Sequence, residues 1–240
     1  MCYRYSIYSK PELFQSKWKA TLHQKFSPQY HASAFSQQKL PIITDETPTE
    51  VQLAEWGLIP HWVKNSTQAD EIKLKTANAR AETIYEKPSF RHAAQNHHCL
   101  VLADGFFEWR EVLHKKYPYF IRLKSHQPFA MAGLWQPWTN PETNQTHLTY
   151  TIITTTANPL LAVIHNQKKR MPVILPDGFE KLWLSKDCTK EQSTQILVPF
   201  EEDKMQAYTI SKRITAKDKE TNVSQVLTPY TYPGIEPRFG

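Results

Sequence analysis

Short apolar and aromatic stretches alternate with polar or proline-containing breaks through the middle of the chain. This pattern is typical of strands, because β-branched and aromatic side chains fit a pleated sheet. The breaks are too short to hold crossover helices, so we predict antiparallel hairpins rather than a parallel sheet. The five predicted strands cover 99–103, 106–112, 117–123, 129–135 and 148–156.

Helix signals lie on both sides of these strands. Apolar residues recur near a 3.6-residue period over 13–22, directly after Pro11, which favours the first turn of a helix. Asn158 followed by Pro159 is typical of an N-cap and a first turn. Three other segments are predicted from their local sequence. Residues 78–85 are predicted to form a short helix that ends before Pro88, and Asp177 with Glu180 a capping box. The polar residues 64–70 are predicted to form a loop.

Together these elements predict an α+β protein with a curved, mainly antiparallel sheet or barrel as its core and helices at the periphery. No repeat, low-complexity segment or clear linker divides the 240 residues, so we predict one domain over 1–240. No window approaches 18 continuous apolar residues, and the first residues contain no apolar segment of a secretory signal. We therefore expect no membrane span and no secretory signal. A reducing, cytoplasmic setting fits the cysteine usage best, and we expect a monomer.

Composition and charge narrow the classes of protein further. A hydrophobic content of 40% with 12% aromatic residues is enough for a buried core and excludes a disordered or collagen-like chain. The net charge of +6 suggests a polyanion as partner without establishing one. The three cysteines are odd in number, widely spaced and without a CxxC pair, which argues against disulfides and zinc. We expect no metal and no organic cofactor.

Cys2 is the most unusual position, because a small residue after Met1 commonly permits removal of the initiator methionine. Cys2 would then carry an α-amine with a pKa of about 7.7–8.0 and a thiol with a pKa near 8.5 on one carbon skeleton. The amine can attack an aldehyde to form an imine. The thiol can then close onto the imine carbon as a five-membered thiazolidine, in an intramolecular step. The alternative is an ordinary cysteine beside a frayed terminus.

Four internal motifs accompany Cys2: WGLIPHW (56–62), TANARAET (76–83), ADGFFEW (103–109) and IHNQKKRMPVIL (164–175). In this order, behind Met1 and Cys2, they resemble the SRAP family, the SOS response-associated peptidases. The resemblance implies an SRAP-like fold and a sensor of abasic sites in single-stranded DNA. In that family the terminal cysteine captures the exposed sugar aldehyde as a thiazolidine. The family is also credited with removing a short N-terminal propeptide.

The resemblance also implies catalytic roles for three internal residues. Glu108 matches the family's acidic catalyst, and a positioned carboxyl can supply the proton transfers of ring opening and carbinolamine dehydration. Asn78 matches the position that orients the N-terminal amine or the sugar. His165 matches the active-site histidine, whose near-neutral pKa suits a proton shuttle. Their structural alternatives are a solvent-facing strand end for Glu108, a helix N-cap for Asn78 and a structural imidazole for His165.

Basic residues near the same motifs are expected to hold the DNA backbone. Arg80 and Arg170 match positions that would bind the phosphates flanking the lesion, and Arg4 is a third candidate. The family's compact spacing between histidine and arginine is three residues longer in this chain. Lys168 or Lys169, which lie in the longer segment, is therefore expected to share the role of Arg170. A surface salt bridge is the alternative for each arginine.

Two aromatic residues bear on how the strand would be held. An exposed Trp62 would stack on an unpaired base, whereas a core tryptophan would only support the fold. Tyr3 replaces the glycine that usually follows the family's cysteine, and its bulk changes the space beside the nucleophile.

Three functional hypotheses remain from the sequence. The first is an enzyme that crosslinks itself to abasic sites, with a lyase-type activity and autoproteolysis as further activities, and it places the protein at the nucleoid when it acts on DNA. The second is a cysteine peptidase that uses Cys2 and His165, with DNA irrelevant. The third is a module that binds single-stranded DNA without a covalent bond, through stacking and salt-sensitive contacts.

Overall fold

Two β-sheets organise the chain. The computed structural model describes residues 2–36, 38–216 and 218–240. Its strands are β1 (Arg4–Ile7), β2 (Thr21–Leu22), β3 (Gln29–Ser33), β4 (Lys39–Thr44), β5 (Glu50–Trp56), β6 (Asn78–Arg80), β7 (His98–Ala103), β8 (Gly105–Val112), β9 (Lys115–Leu123), β10 (Phe129–Thr139), β11 (Thr146–Thr156), β12 (Arg170–Pro172), β13 (Met205–Thr209) and β14 (Arg238–Phe239). Its α-helices are α1 (Pro11–Trp18), α2 (Ser66–Lys73), α3 (Arg91–Asn96), α4 (Pro159–Ile164), α5 (Phe179–Trp183) and α6 (Lys190–Ile196). Short 3-10 turns cover Ala81–Thr83, Glu202–Lys204, Lys212–Thr215 and Ser224–Leu227.

One sheet closes into a five-stranded barrel. The antiparallel order β5–β4–β7–β10–β11 is completed by a parallel pairing of β11 with β5, in which Tyr150 lies opposite Trp56. Because the sheet closes on itself, each of these five strands is paired on both sides. In an open sheet, the first and last strands would each have one unpaired edge. At the closing seam the Trp56 ring stacks on Tyr150. The Tyr150 hydroxyl also hydrogen-bonds to that of Tyr5 in β1, at 2.8 Å, which ties the barrel to the second sheet.

The second sheet is antiparallel throughout and has the order β14–β13–β9–β8–β1–β3. It shares a continuous apolar core with the barrel. Gly105 at the start of β8 permits close contact with β9, because a Cβ at this position would overlap the Phe120 ring and lie 2.7 Å from the Ile121 carbonyl oxygen. Strand β1, which follows Cys2, is held between β3 and β8.

The predicted fold class and the five predicted strands are confirmed. The five strands are β7 to β11, and one end of each coincides with the prediction while the other extends one to four residues further. The predicted N-cap is also confirmed, because the Asn158 side chain accepts a hydrogen bond from the Leu161 N–H ahead of α4. No helix among the described residues is long and apolar enough to cross a bilayer.

The predicted helix over 78–85 is wrong. Asn78–Arg80 form strand β6, and helical structure in this segment is limited to a 3-10 helix over Ala81–Thr83. The reason is tertiary: β6 pairs in parallel with β11, with Asn78 opposite Ile152, and this pairing overrides the local preference. Asn78 is consequently a strand residue and not a helix N-cap.

Three other local predictions need correction. The predicted loop over 64–70 instead contains the start of α2, which Asn65 caps by accepting from the Gln68 N–H. The predicted helix over 13–22 ends at Trp18, because the next residue has a left-handed backbone, with φ 58°. The predicted capping box of Asp177 and Glu180 does not form. Helix α5 begins after Gly178, whose positive φ of 93° suits glycine, and the Glu180 carboxylate accepts from the Gly178 N–H.

Asn158→Ala is expected to lower the free energy of unfolding by about 2–3 kcal/mol, measured by urea denaturation. The substitution removes the α4 cap, which is worth about 1 kcal/mol. It also removes the donor to the buried Phe200 carbonyl, 2.8 Å from the Asn158 amide nitrogen, which leaves that oxygen unsatisfied. Thr189→Ala is the matched control, because Thr189 caps the more exposed α6 and its loss should cost about 1 kcal/mol. An equal loss in both variants would contradict this account.

Candidate active site

Cys2 lies at the entrance of β1 and is buried. Its thiol donates to the Arg4 carbonyl, with the sulfur 3.5 Å from the oxygen. The far end of β1 is fixed by the buried Asp104 carboxylate, which accepts from the N–H groups of Tyr8 at 2.5 Å and Ser9 at 2.7 Å. The cysteine is therefore carried by a strand whose position is set at both ends. Met1, whose removal the predicted thiazolidine chemistry would require, lies outside the described residues.

Glu108 and His165 form a buried acid–base pair. Glu108 is on β8 and His165 directly follows α4, and the Glu108 Oε2 lies 3.7 Å from the His165 Nε2. The His165 Nδ1 is 2.8 Å from the Arg170 carbonyl oxygen. Because a carbonyl only accepts, this contact places the proton of the neutral ring on Nδ1. The Nε2 that faces Glu108 is then the basic nitrogen.

Burial sets the protonation states of this pair and of Cys2. It raises the pKa of the Glu108 carboxyl to about 7 and lowers the pKa of the His165 imidazole to about 4. It also raises the pKa of the Cys2 thiol, and the nearby Glu108 carboxylate raises that pKa further. At neutral pH the site consequently holds a neutral imidazole, a protonated thiol and a carboxyl that is divided between its acid and its anion.

The pair opens into a cleft of about 600 Å³, which we call the acid–base cleft. Four cationic side chains line it together with Glu108 and His165: Arg4, Lys116, Lys168 and Lys212. The Arg4 guanidinium also lies over the Trp109 ring, 5.1 Å from its centroid. Two of the predicted phosphate-binding residues, Arg4 and Lys168, therefore lie in the same cleft as the predicted catalytic pair.

A second cleft of about 600 Å³, which we call the Asn78 cleft, holds Trp62, Asn78 and Arg80. The Trp62 side chain is 45% exposed, so it is not a core residue, and its indole N–H donates to the Pro88 carbonyl at 3.3 Å. Asn78 is only 8% exposed. Within the described part of the chain, neither its amide oxygen nor its amide nitrogen has a hydrogen-bond partner. Such a buried amide is an exception, because buried polar groups are as a rule hydrogen-bonded.

Among the described residues, the lining of neither cleft includes Arg170. Its guanidinium holds the Glu82 carboxylate through both terminal nitrogens and the Thr154 carbonyl at 2.6 Å. Its own carbonyl accepts from His165. Thr154 lies opposite Arg80 in the β11–β6 pairing. The predicted phosphate contact of Arg170 would thus have to compete with Glu82, whereas its backbone orients the imidazole directly.

The longer segment between His165 and Arg170 forms a tight turn. The Lys169 N–H donates to the His165 carbonyl at 2.8 Å, and Lys169 has a left-handed backbone with φ 48°. The Asn166 amide donates to the Glu111 carbonyl at 2.8 Å and accepts from the Glu111 N–H at 3.1 Å. Asn166, which precedes the extra residues, therefore anchors this segment to β8 at Glu111. Lys169 is exposed and lies in neither cleft, in contrast to Lys168.

Several residues of the site could not be predicted from the sequence, because nothing in their local pattern marks them as functional. Lys116 and Lys212 are surface lysines like many others until the fold brings them to one cleft. Glu82 and Asp104 lie inside recognised motifs, but only the structure assigns their partners, Arg170 for the first and the end of β1 for the second. Among the described residues, no group of three or more His, Cys, Asp or Glu side chains is arranged to hold a metal ion.

Fold and site together define a class: a barrel-based α+β protein with a cysteine near its N-terminus, beside a buried carboxyl and a neutral imidazole. Comparison with known sequences identifies the family. The family model of the SOS response associated peptidases (SRAP) matches residues 1–217, and the chain belongs to this family.

Named relatives and a solved structure agree with this assignment. Abasic site processing protein YoqW of Bacillus subtilis (strain 168) is 40% identical over 223 residues, which is 90% of this chain and 95% of the relative. Abasic site processing protein HMCES of Xenopus tropicalis is 31% identical over 196 residues, covering 70% of this chain and 56% of the relative. A crystal structure of a protein from Bacteroides thetaiotaomicron superposes with a TM-score of 0.89 at 37% identity, over 94% of this chain and 98% of the other.

Proposed function

We propose that this protein processes abasic sites by capturing their aldehyde, in single-stranded DNA, as a thiazolidine with Cys2 after Met1 is removed. The crosslink would shield the lesion during repair. The observation that carries the proposal is the buried Glu108–His165 pair, which lines a cleft with four cationic side chains and whose carboxylate is close enough to Cys2 to act on the charge of its thiol. The names of the relatives, abasic site processing proteins, support the lesion as the substrate.

The protonation states suit each step of this chemistry. An abasic sugar must first open, and the basic Nε2 of His165 is placed to take its hydroxyl proton while the Glu108 acid protonates the ring oxygen. The His165 imidazolium then returns its proton to the Glu108 carboxylate, 3.7 Å away, and the Cys2 amine adds to the aldehyde. The restored Glu108 acid protonates the carbinolamine hydroxyl, which leaves as water, and the carboxylate takes back the proton that nitrogen loses as the imine forms. The Cys2 sulfur adds to the imine carbon and its proton ends on the nitrogen. One water is lost for each crosslink formed.

The protonation states of Cys2 and His165 disfavour a cysteine peptidase. A peptidase nucleophile is a thiolate held beside an imidazolium, with a lowered thiol pKa. Here the Cys2 pKa is raised and the His165 pKa is lowered, so the proton stays on sulfur. An amine-led reaction needs no thiolate before the imine exists. Lyase-type strand cleavage belongs to the proposal as a side reaction, because β-elimination can start from the same imine.

The two clefts supply the contacts that a single strand requires. Arg4 and Lys168 would hold phosphates on the side of the acid–base cleft, and Arg80 on the side of the Asn78 cleft. Trp62 presents an exposed ring on which an unpaired base can stack. Arg170 fits a positioning role better than a phosphate contact, because Glu82 occupies its guanidinium.

A denaturing gel tests the proposal directly. The protein is produced with a cleavable N-terminal tag whose removal exposes Cys2, and cut and uncut samples are mixed with single-stranded DNA that has one abasic site or none. We expect a heat-stable shifted band only for cut protein with abasic DNA. A peptidase would act on its peptide substrates without the free amine, and a non-covalent module would bind intact DNA equally and leave no heat-stable band.

Asn78→Ala is expected to slow crosslinking by about 100-fold, because a mispositioned sugar or amine loses its reactive orientation. The free energy of unfolding should change by no more than about 1 kcal/mol, since the described residues offer the Asn78 amide no partner that could be lost. Single-turnover gel kinetics and urea denaturation measure the two quantities. Asn96→Ala, on the exposed face of α3 and outside both clefts, is the control. A large stability loss with normal kinetics would make Asn78 purely structural.

A further inference from the structure

A group of three tyrosines and one lysine, which we call the tyrosine platform, lies at the rim of the acid–base cleft. Its members are Tyr117, Lys212, Tyr230 and Tyr232. The rings of Tyr117 and Tyr232 are 5.1 Å apart at their centroids, and those of Tyr230 and Tyr232 are 4.7 Å apart. The Lys212 Nζ lies 5.2 Å from the Tyr117 centroid and 5.9 Å from that of Tyr232. Lys212 also lines the acid–base cleft, so the platform continues the cleft outward.

The platform is held rigidly but presents a free surface. The Tyr232 hydroxyl donates to the Ile210 carbonyl at 2.8 Å, and the Tyr230 N–H donates to the Thr209 carbonyl at 2.8 Å. Both acceptors are at the end of β13 or directly after it, so the sheet fixes the Tyr232 ring through its hydroxyl and the Tyr230 main chain through its N–H. The Tyr230 side chain is nevertheless 50% exposed. A fixed aromatic side chain with an exposed surface is what a base needs for stacking.

Charge beside the platform favours a nucleic-acid strand as the occupant. Lys116 and Lys168 share the cleft with Lys212, and Lys116 directly precedes Tyr117 in β9. Cationic side chains beside an exposed ring match the neighbouring phosphates and bases of a single strand. Tyr230 and Tyr232 lie beyond residue 217, where the match to the family model ends, so the SRAP assignment does not account for them.

We propose that the tyrosine platform binds the single-stranded DNA that leaves the acid–base cleft on one side of the lesion. A base would stack on Tyr230, and Lys116 and Lys212 would hold the adjoining phosphates. This inference rests on the proposed function for the identity of the strand. The tyrosine platform would add a subsite that contacts the strand beyond the lesion. Binding would then depend on the length of the DNA on the platform's side of the lesion.

Fluorescence of 2-aminopurine tests the platform separately from the crosslink. The probe strand has a tetrahydrofuran abasic analogue, which lacks the aldehyde and cannot be captured, and 2-aminopurine at one flanking position at a time. We expect quenching by the wild-type protein at positions on one side only, and loss of this quenching in Tyr230→Ala. The dissociation constant for the strand should rise about tenfold, in line with the loss of one stacked base.

Two further variants make the result specific. Tyr230→Phe keeps the ring and should bind and quench like the wild type. Phe179→Ala is the matched control, since Phe179 is 45% exposed on α5 and outside both clefts, and it should change nothing. Normal binding and quenching by Tyr230→Ala would overturn the platform. Failure of the proposed function would give a different result: no heat-stable adduct with a true abasic site, whatever the analogue shows.

Discussion

Replacing Cys2 with alanine is expected to abolish the heat-stable crosslink to abasic DNA completely. Alanine keeps an α-amine at the same position and still forms an imine, but it has no sulfur to close onto the imine carbon. An imine hydrolyses on denaturation, whereas the thiazolidine ring holds both of its bonds to the former aldehyde carbon. The variant should therefore give no band on a denaturing gel unless borohydride is added to reduce the imine.

The borohydride comparison separates the roles of the amine and the thiol. Wild type freed of Met1 should crosslink with or without the reductant, and Cys2→Ala only with it. Protein that retains an N-terminal tag should crosslink under neither condition, because its amine is blocked. Cys188→Ala removes a half-buried free thiol elsewhere and serves as the control for general thiol reactivity. A heat-stable band from Cys2→Ala in the absence of reductant would refute the thiazolidine.

Glu108→Gln is expected to slow crosslinking by about 10²–10⁴-fold near pH 7, because a general acid contributes an effect of this size. The wild-type rate should be bell-shaped in pH. It rises as the Cys2 amine, with a pKa of about 7.7–8.0, loses its proton, and it falls as Glu108, with a pKa raised to about 7, loses its own. In the variant the alkaline fall should disappear and only the rise should remain. Single-turnover rates across pH 5–9 measure both limbs, and an alkaline fall that persists would exclude Glu108 as the acid.

The same pKa shift predicts that Glu108→Gln stabilises the protein at alkaline pH. The carboxyl pKa is raised from 4.5 to about 7 on folding, so the folded state binds more protons between these values. Wild-type stability therefore falls as pH rises from about 4.5 to about 7 and stays lower above that range. Glutamine has no charge to bury, so the variant should gain on the order of 3 kcal/mol at pH 8 and little at pH 4.

Urea unfolding at pH 4 and pH 8 measures this gain. Glu111→Gln, on the same strand but half-exposed, is the matched control and should show no such difference between the two pH values. Loss of crosslinking together with a gain in stability would be the mark of a carboxyl retained for chemistry rather than for the fold. A loss of stability at pH 8 would instead mean that Glu108 has a structural role.

The sequence by itself determined the elements that depend on neighbours along the chain. The β-branched and aromatic runs identified β7 to β11, and Asn158 with Pro159 identified the start of α4, because strand preference and capping act over a few residues. The four motifs behind Cys2 also identified the SRAP family and pointed to Glu108 and His165. The structure places these two side chains 3.7 Å apart.

Only the tertiary structure decided what depends on residues far apart in the chain. Asn78 became a strand residue because β11 was available to pair with β6, and the barrel closed through a second pairing of the same strand. Lys116 and Lys212 gained a place in the acid–base cleft only through the fold. Glu108 acquired its raised pKa because packing removed water from its carboxyl. Strand pairing and desolvation are set by distant atoms, which local sequence patterns do not encode.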